Sequence, residues 1–212
     1  MSSAIRAVIF DIGGVLLRTL DQSERQRWET RLGLPAGGAE ATVLNSDMGH
    51  RAQRGEIDDE ALWAWVGEHL ALGDDLSAFR RDFWSGDRVD AHLVDLIRRL
   101  RPGYQTAVIS NAGHGLRDTL SRYGLLDLFD VVVGSAYEGL MKPHPAIYRR
   151  ALALLGRAAE ETLFIDDAPA NVAGALAVGM NAIRFTPDMD LEAVLRGYGV
   201  MPAPSATTPP LP

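Results

Sequence analysis

Four groups of polar residues in this chain fall where apolar runs end, and their side chains could together handle a phosphoryl group. Asp11 follows Val8-Ile9-Phe10 and precedes Ile12-Gly13-Gly14. A carboxylate there can act as a nucleophile or a metal ligand, or it can simply close a turn. The two glycines let the backbone approach an anion and offer it N–H groups. Ser110-Asn111 ends a second apolar run. Its hydroxyl can donate to a phosphate oxygen or cap a following helix. Lys142-Pro143 lies just ahead of a helix that Pro145 can start. An ammonium at a helix N-terminus opposes the helix dipole unless an anion lies between them. Asp166-Asp167 follows Leu163-Phe164-Ile165. Adjacent carboxylates repel, and magnesium, which prefers a few carboxylates, water and phosphate oxygens, relieves that repulsion. An ordinary N-cap beside a solvated neighbour would give the same pattern.

Lys142 stands out for another reason. Of 21 Lys and Arg residues it is the single lysine. Lysine carries a compact ammonium and arginine a planar fork, so one lysine in an arginine-rich chain marks a position where shape matters, unless it persists by chance.

These residues need elements to position them. Ala4–Phe10, Thr106–Ser110, Val131–Gly134, Thr162–Ile165 and Ala182–Phe185 read as buried parallel strands, rich in Val, Ile and Phe and bounded by turn residues. Helical patterns lie between most of them. Leu93, Leu96, Ile97 and Leu100 share one stripe with Asp90 as N-cap; Leu116, Leu120 and Tyr123 share another that Gly124 ends. Pro145 and Gly156 bracket a third helix, Pro169 and Gly179 a fourth. Strand–helix alternation implies an α/β fold, a three-layer Rossmann-like parallel sheet. The carboxyl ends of its strands would bring all four polar groups to one crevice.

The rhythm breaks between Arg18 and Arg88, where no convincing strand is found. Trp28 with Leu32, then Leu62, Val66, His69 and Leu70, then Leu76, Phe79 and Phe83 fall at helical spacing. The expected organisation is a core of residues 1–17 and 89–201, a helical cap of residues 18–88 and a disordered Pro-rich tail of residues 202–212. All four Trp residues, at 28, 63, 65 and 84, lie in the cap and are expected to form its core.

Composition narrows the classes. With 47% hydrophobic residues the chain can bury a sizeable core, and with no cysteine it has no disulfide, thiolate metal site or thiol nucleophile. A net charge of −7 with scattered basic residues argues against nucleic acid. The first apolar run, ending at Phe10, is too short for a signal peptide, and no stretch approaches a membrane span. A soluble cytoplasmic protein is expected, a monomer or homodimer that engages a small phosphorylated metabolite and neither nucleic acid nor membrane.

In their order and strand-end setting, Asp11, Ser110, Lys142 and Asp166-Asp167 resemble the four motifs of the haloacid dehalogenase (HAD) superfamily. The resemblance covers about residues 4–185, and the helical insert looks like that family's cap after the first motif. It implies that Asp11 attacks phosphorus and becomes an aspartyl phosphate. It implies that Ser110 and Lys142 hold the transferring oxygens. It implies Mg2+ bound by Asp11, the backbone carbonyl of Gly13, Asp166 and Asp167, with Gly13 and Asn111 bordering the substrate. Asp-Ile-Gly at residues 11–13, and residues 48–72 with their Arg54-Gly55-Glu56-Ile57, are similar to a subgroup that includes a phosphatase of α-glucose 1-phosphate. His50, Arg51 and Arg54 are expected around a turn between cap helices. There they either read the non-phosphate part of the substrate or form a solvated surface.

One position departs from the family. Most of its phosphatases carry a second Asp two residues after the nucleophile; here that position is Gly13. General acid–base catalysis is worth ~10²–10⁴-fold, so the loss matters. The leading expectation is a magnesium-dependent phosphatase of small phosphate monoesters, sugar phosphates among them, with His114, His144 or a cap residue left to move the proton. A 2-haloacid dehalogenase also lacks the second Asp, because halide leaves without a proton. It needs no magnesium and usually lacks the acidic pair, and this chain lacks the aromatic residue such enzymes tend to place at position 13. The third expectation is a catalytically weak phosphate-binding regulatory module.

Overall fold

The computed structural model describes residues 3–204. Strand β1 (Ala7–Phe10) is buried along its whole length, as a strand covered on both faces must be. The chain then forms β2 (Leu17–Thr19) and the helices α1 (Ser23–Leu32), α2 (Gly38–Val43), α3 (Asp47–Gln53), α4 (Asp59–His69) and α5 (Leu76–Ser85). It returns through β3 (Asp87–Val89). From there it alternates: α6 (Ala91–Leu100), β4 (Gln105–Ser110), α7 (Leu116–Arg122), β5 (Val131–Gly134), α8 (Ser135–Glu138), α9 (Pro145–Leu155), β6 (Thr162–Asp166), α10 (Pro169–Ala177), β7 (Asn181–Arg184) and α11 (Leu191–Gly197).

Five strands form a parallel sheet in the order β5-β4-β1-β6-β7. The two-residue period of a strand sorts its side chains into two cores. Val8 and Phe10 pack with Leu96, Ile97, Leu120 and Leu195, from α6, α7 and α11. Ala7 and Ile9 pack with Ile147, Tyr148, Ala151 and Ala175, from α9 and α10. The result is the expected three-layer Rossmann-like arrangement. After β1 the chain builds outward through β4 and β5, then crosses to β6 and β7. The topological switch point lies between β1 and β6, the place where such sheets open a crevice at their carboxyl ends.

Local signals explain the helix limits. The Asp90 carboxylate accepts from the N–H groups of His92 (3.0 Å) and Leu93 (3.1 Å), capping α6. Pro145 occupies the first turn of α9, and left-handed Gly156 ends it.

The segment between β2 and β3 has its own core, in which Trp28, Trp63, Phe79 and Phe83 meet edge to face or tilted, with ring centroids 5.5–6.3 Å apart. Buried Arg25 ties this core to its exit. Its Nε donates to the Phe83 carbonyl (2.8 Å), and its guanidinium lies 3.5 Å from Asp87 in β3.

Several expectations need correction. β2 and β3 pair antiparallel, Leu17 with Val89 and Thr19 with Asp87, so strand structure does reach into residues 18–88. Three-residue strands are too short to show alternation in sequence. Trp84 is 42% exposed and Trp65 stacks on His69, so only Trp28 and Trp63 are buried in the insert's core. The short helices α2 and α11 were not anticipated. Ala203 exchanges hydrogen bonds with Arg99 (2.9 and 3.2 Å) and is therefore held in place. Residues 205–212 of the expected tail lie outside the described residues.

The ribbon depends on close backbone approach. Leu20 donates to the Gly86 carbonyl (3.0 Å), and a Cβ on Gly86 would fall on the Asp21 carbonyl oxygen. Gly86→Ala is therefore expected to lower stability by about 1–3 kcal/mol, the usual range for overpacking, in urea unfolding. A change within error would show that the ribbon yields freely.

Candidate active site

The two central strands deliver one carboxylate each to the switch point. Asp11 leaves β1, and Asp166 ends β6 with Asp167 beyond it. Ser110 ends β4, two residues past the partner of Phe10. Lys142, between α8 and α9, completes the group. Its Nζ lies 2.7 Å from Asp11 Oδ2 and 2.6 Å from Asp166 Oδ2, and all three side chains are buried. The lysine backbone is fixed by Asn111, whose side-chain oxygen accepts from the Lys142 N–H (2.8 Å) while its amide donates to the Lys142 carbonyl (3.0 Å).

Asp166 has further partners. Its carboxylate accepts from the Ala168 N–H (2.9 Å) and from the Asn171 side chain (3.0 and 3.1 Å). The Tyr148 hydroxyl donates to the Asn171 carbonyl (2.8 Å). Neither Asn171 nor Tyr148 was picked out from sequence. Asn171 had a signal: it is the one polar residue in the α10 sequence Pro-Ala-Asn-Val-Ala-Gly-Ala-Leu-Ala, five positions after Asp166.

Charge balance defines what the cluster can hold. Burial pushes the Asp11 carboxyl up to about 7; Lys142 opposes the rise and Asp166 adds to it. Burial, and then the charge of Asp166, also raise Asp167. Three carboxylates against one ammonium leave a net −2 when all are ionised. Asp11, Asp166 and Asp167 each offer an oxygen within 4.8 Å of the others. Hard oxygen donors with a residual charge of −2 suit a divalent cation of the magnesium type.

The glycines differ in kind. Gly14 has φ +77°, and a Cβ there would collide with the Asp167 carboxylate. Its bare backbone is what lets Asp167 lie against the first loop. At Gly13 a Cβ would meet nothing within 4 Å.

The expected cap residues stand apart. His50 and Arg51 lie in the last turn of α3, and Arg54 follows its end, so only Arg54 is at a turn. Among the described residues none of the three is ion-paired with Asp11, Asp166 or Asp167. Arg51 and Arg54 both turn to Glu56, at 3.3 and 2.5 Å. The Gly55 turn packs on the Ala136 carbonyl, just past the carboxyl end of β5, and on the His114 ring. His144 accepts from the Ala146 N–H (3.3 Å) and serves as the N-cap of α9.

Known proteins share the family and the fold. The profile of a family described as haloacid dehalogenase-like hydrolases matches residues 5–179. The sesquiterpene phosphatase astK of Aspergillus oryzae is 31% identical over 196 residues, covering 88% of this chain and 92% of that protein. A HAD-like family hydrolase of Porphyromonas gingivalis superposes with TM-score 0.74 at 25% identity, over 92% of this chain and 98% of the other. A HAD family enzyme of Bacteroides thetaiotaomicron, solved with magnesium and inorganic phosphate, gives TM-score 0.77 at 20% identity, over 91% and 100% of the two chains.

The two glycines offer a paired test of the cation site. Gly14→Ala should displace Asp167 and weaken Mg2+ binding by at least ~10-fold, the scale seen when groups that orient metal ligands are lost. Gly13→Ala should stay within about twofold of the unaltered protein. Isothermal titration with Mg2+ reads both, and equal affinities would remove Asp167 from the cation site.

Proposed function

Since the chain belongs to the haloacid dehalogenase-like hydrolase family, we propose that it is a magnesium-dependent phosphatase of small phosphate monoesters, acting through an aspartyl phosphate on Asp11. The observation that carries this reading is the buried Lys142 ammonium bridging Asp11 and Asp166, with Asp167 beside them. A dehalogenase has no need of the third carboxylate. The net negative cluster suits a cation bound together with phosphate oxygens.

In this reading Asp11 attacks phosphorus. A new O–P bond forms, and the ester O–P bond breaks with its electron pair on the leaving oxygen, which takes a proton from solvent water to depart as the alcohol. Lys142 and the Ser110 hydroxyl hold the transferring oxygens and offset charge that builds up in the transition state. Water then attacks the aspartyl phosphate, releasing inorganic phosphate and restoring Asp11. Asn111 and Asn171 act through their neighbours, by fixing the Lys142 backbone and the Asp166 carboxylate. Asp11, the Gly13 carbonyl, Asp166 and Asp167 would hold magnesium, which supplies charge neutralisation at the phosphoryl oxygens. With glycine at position 13, esters of alcohols that leave readily should be favoured, anomeric sugar phosphates among them.

We take residues 18–88 as a cap over a core of residues 1–17 and 89–201. His50, Arg51 and Arg54 then face the alcohol part of the substrate. Among the described residues no helix is long and apolar enough to cross a membrane. A cytoplasmic monomer or homodimer is the corresponding proposal.

Phosphate release from sugar phosphates and p-nitrophenyl phosphate tests the reading. Magnesium should support turnover and a chelator should abolish it. Asp11→Asn should reduce release to background with the fold retained. Gly13→Asp, which the open space accommodates, should raise kcat by up to ~10²-fold if a proton donor is what the site lacks. Activity that survives chelation or Asp11→Asn would overturn the mechanism. A silent unaltered protein that Gly13→Asp awakens would favour a phosphate-binding regulatory module.

A further inference from the structure

The cap turn says something about the alcohol that the phosphate is attached to. Gly55, at φ +71°, packs on the Ala136 carbonyl, and the Arg54 carbonyl faces Gly139. That puts residues 54–56 against the segment just past the carboxyl end of β5, whose last residue, Gly134, pairs with Ser110. A group that projects from a phosphate held by Ser110 and Lys142 toward this end of the sheet would meet the turn.

Arginines at such a place ordinarily read a second anion. Here both are already engaged. Glu56 lies between them, 2.5 Å from Arg54 and 3.3 Å from Arg51, and Asp47 adds a second negative charge near Arg54. Residues 47–60 hold five acidic residues against two arginines, a net −3 with His50 neutral. One of the five points directly at the core. A Cβ on Gly113 would lie 2.5 Å from Asp59 Oδ1, and one on Gly115 3.1 Å from Asp59 Oδ2. The Asp59 carboxylate therefore rests on the loop that follows Ser110-Asn111.

Other cations around the crevice are committed as well. Lys142 serves Asp11 and Asp166. Arg18 pairs with Asp90. Arg184, on the far edge of the sheet, donates to the Asp167 carbonyl (3.4 Å).

Building on the phosphatase reading, we infer that the alcohol part of the substrate is uncharged. The cap turn disfavours a phosphate ester that carries a further carboxylate or phosphate, and accepts a hydroxylated or apolar alcohol. Glu56 is the residue that sets this choice. It turns two potential anion receptors into a hydrogen-bonding Arg–Glu–Arg group, which hydroxyls can share and a carboxylate must displace.

The test needs no turnover. Two non-hydrolysable phosphonates of the same carbon count, 3-hydroxypropylphosphonate and 2-carboxyethylphosphonate, are titrated calorimetrically into the full chain with Mg2+ present. The hydroxylated ligand should bind roughly fivefold more tightly, the scale of two unit charges about 4 Å apart in water, as suits exposed groups. In Glu56→Gln the carboxylated ligand should gain more than the hydroxylated one, closing most of that gap. Equal affinities in the unaltered protein, or a preference for the carboxylate, would overturn the inference and leave the phosphatase reading intact. So would a Glu56→Gln variant in which both ligands shift together. Binding of neither phosphonate would overturn both.

Discussion

Three carboxylates can share the carboxyl edge of a buried sheet only because an ammonium lies among them. Two unit charges 4 Å apart at an effective dielectric of 20 interact by ~4 kcal/mol. Placing Asp11 and Asp166 side by side is therefore costly until Lys142 enters between them at 2.7 and 2.6 Å. One ammonium balances one carboxylate, so the site is left with a charge deficit that a divalent cation can fill. Much of the surrounding structure keeps that ammonium in place. The parallel order brings β1 and β6 together, Asn111 grips the lysine backbone from both sides, and Asn171 holds the second carboxylate.

The core strands were legible because they are buried on both faces. Runs such as Val-Ile-Phe and Leu-Phe-Ile carry that signal in composition alone, and the observed limits differ by only a few residues from those expected. The polar residues at the strand ends were legible through their setting, since a parallel sheet gathers its carboxyl ends. Lys142 was also marked by being the single lysine. What stayed hidden depends on partners remote in sequence. β2 and β3 exist because residues 17–19 and 87–89 pair, and neither has enough residues to show a period. Asn171 looks like an ordinary helix residue until Asp166 is placed opposite it. Glu56 was visible in the chain, but its choice of Arg51 and Arg54 as partners was not. The pairing of both arginines with one carboxylate is therefore a property of the fold and not of the local sequence.

The insert and the sheet solve different packing problems. The sheet buries small and branched side chains in two thin layers, whereas the insert relies on a few large aromatic rings meeting edge to face. Arg25 connects that aromatic core to β3 while its guanidinium also covers the Phe83 ring at 4.1 Å. The insert thus has a core of its own, and it meets the loops beyond the strand ends through the Gly55 turn and the Asp59 carboxylate at Gly113 and Gly115.

The ribbon made by β2 and β3 has a consequence for how such a chain can diversify. The two points where the insert leaves and rejoins the core are hydrogen-bonded neighbours, which places them roughly 5 Å apart. From the core, nearly seventy residues are equivalent to the tip of a hairpin. Any folded segment whose own ends meet at that spacing could be grafted there without altering the sheet's register or the path to Asp11. Selection could then exchange the inserted segment while the sheet and the cluster of Asp11, Lys142 and Asp166 are inherited unchanged.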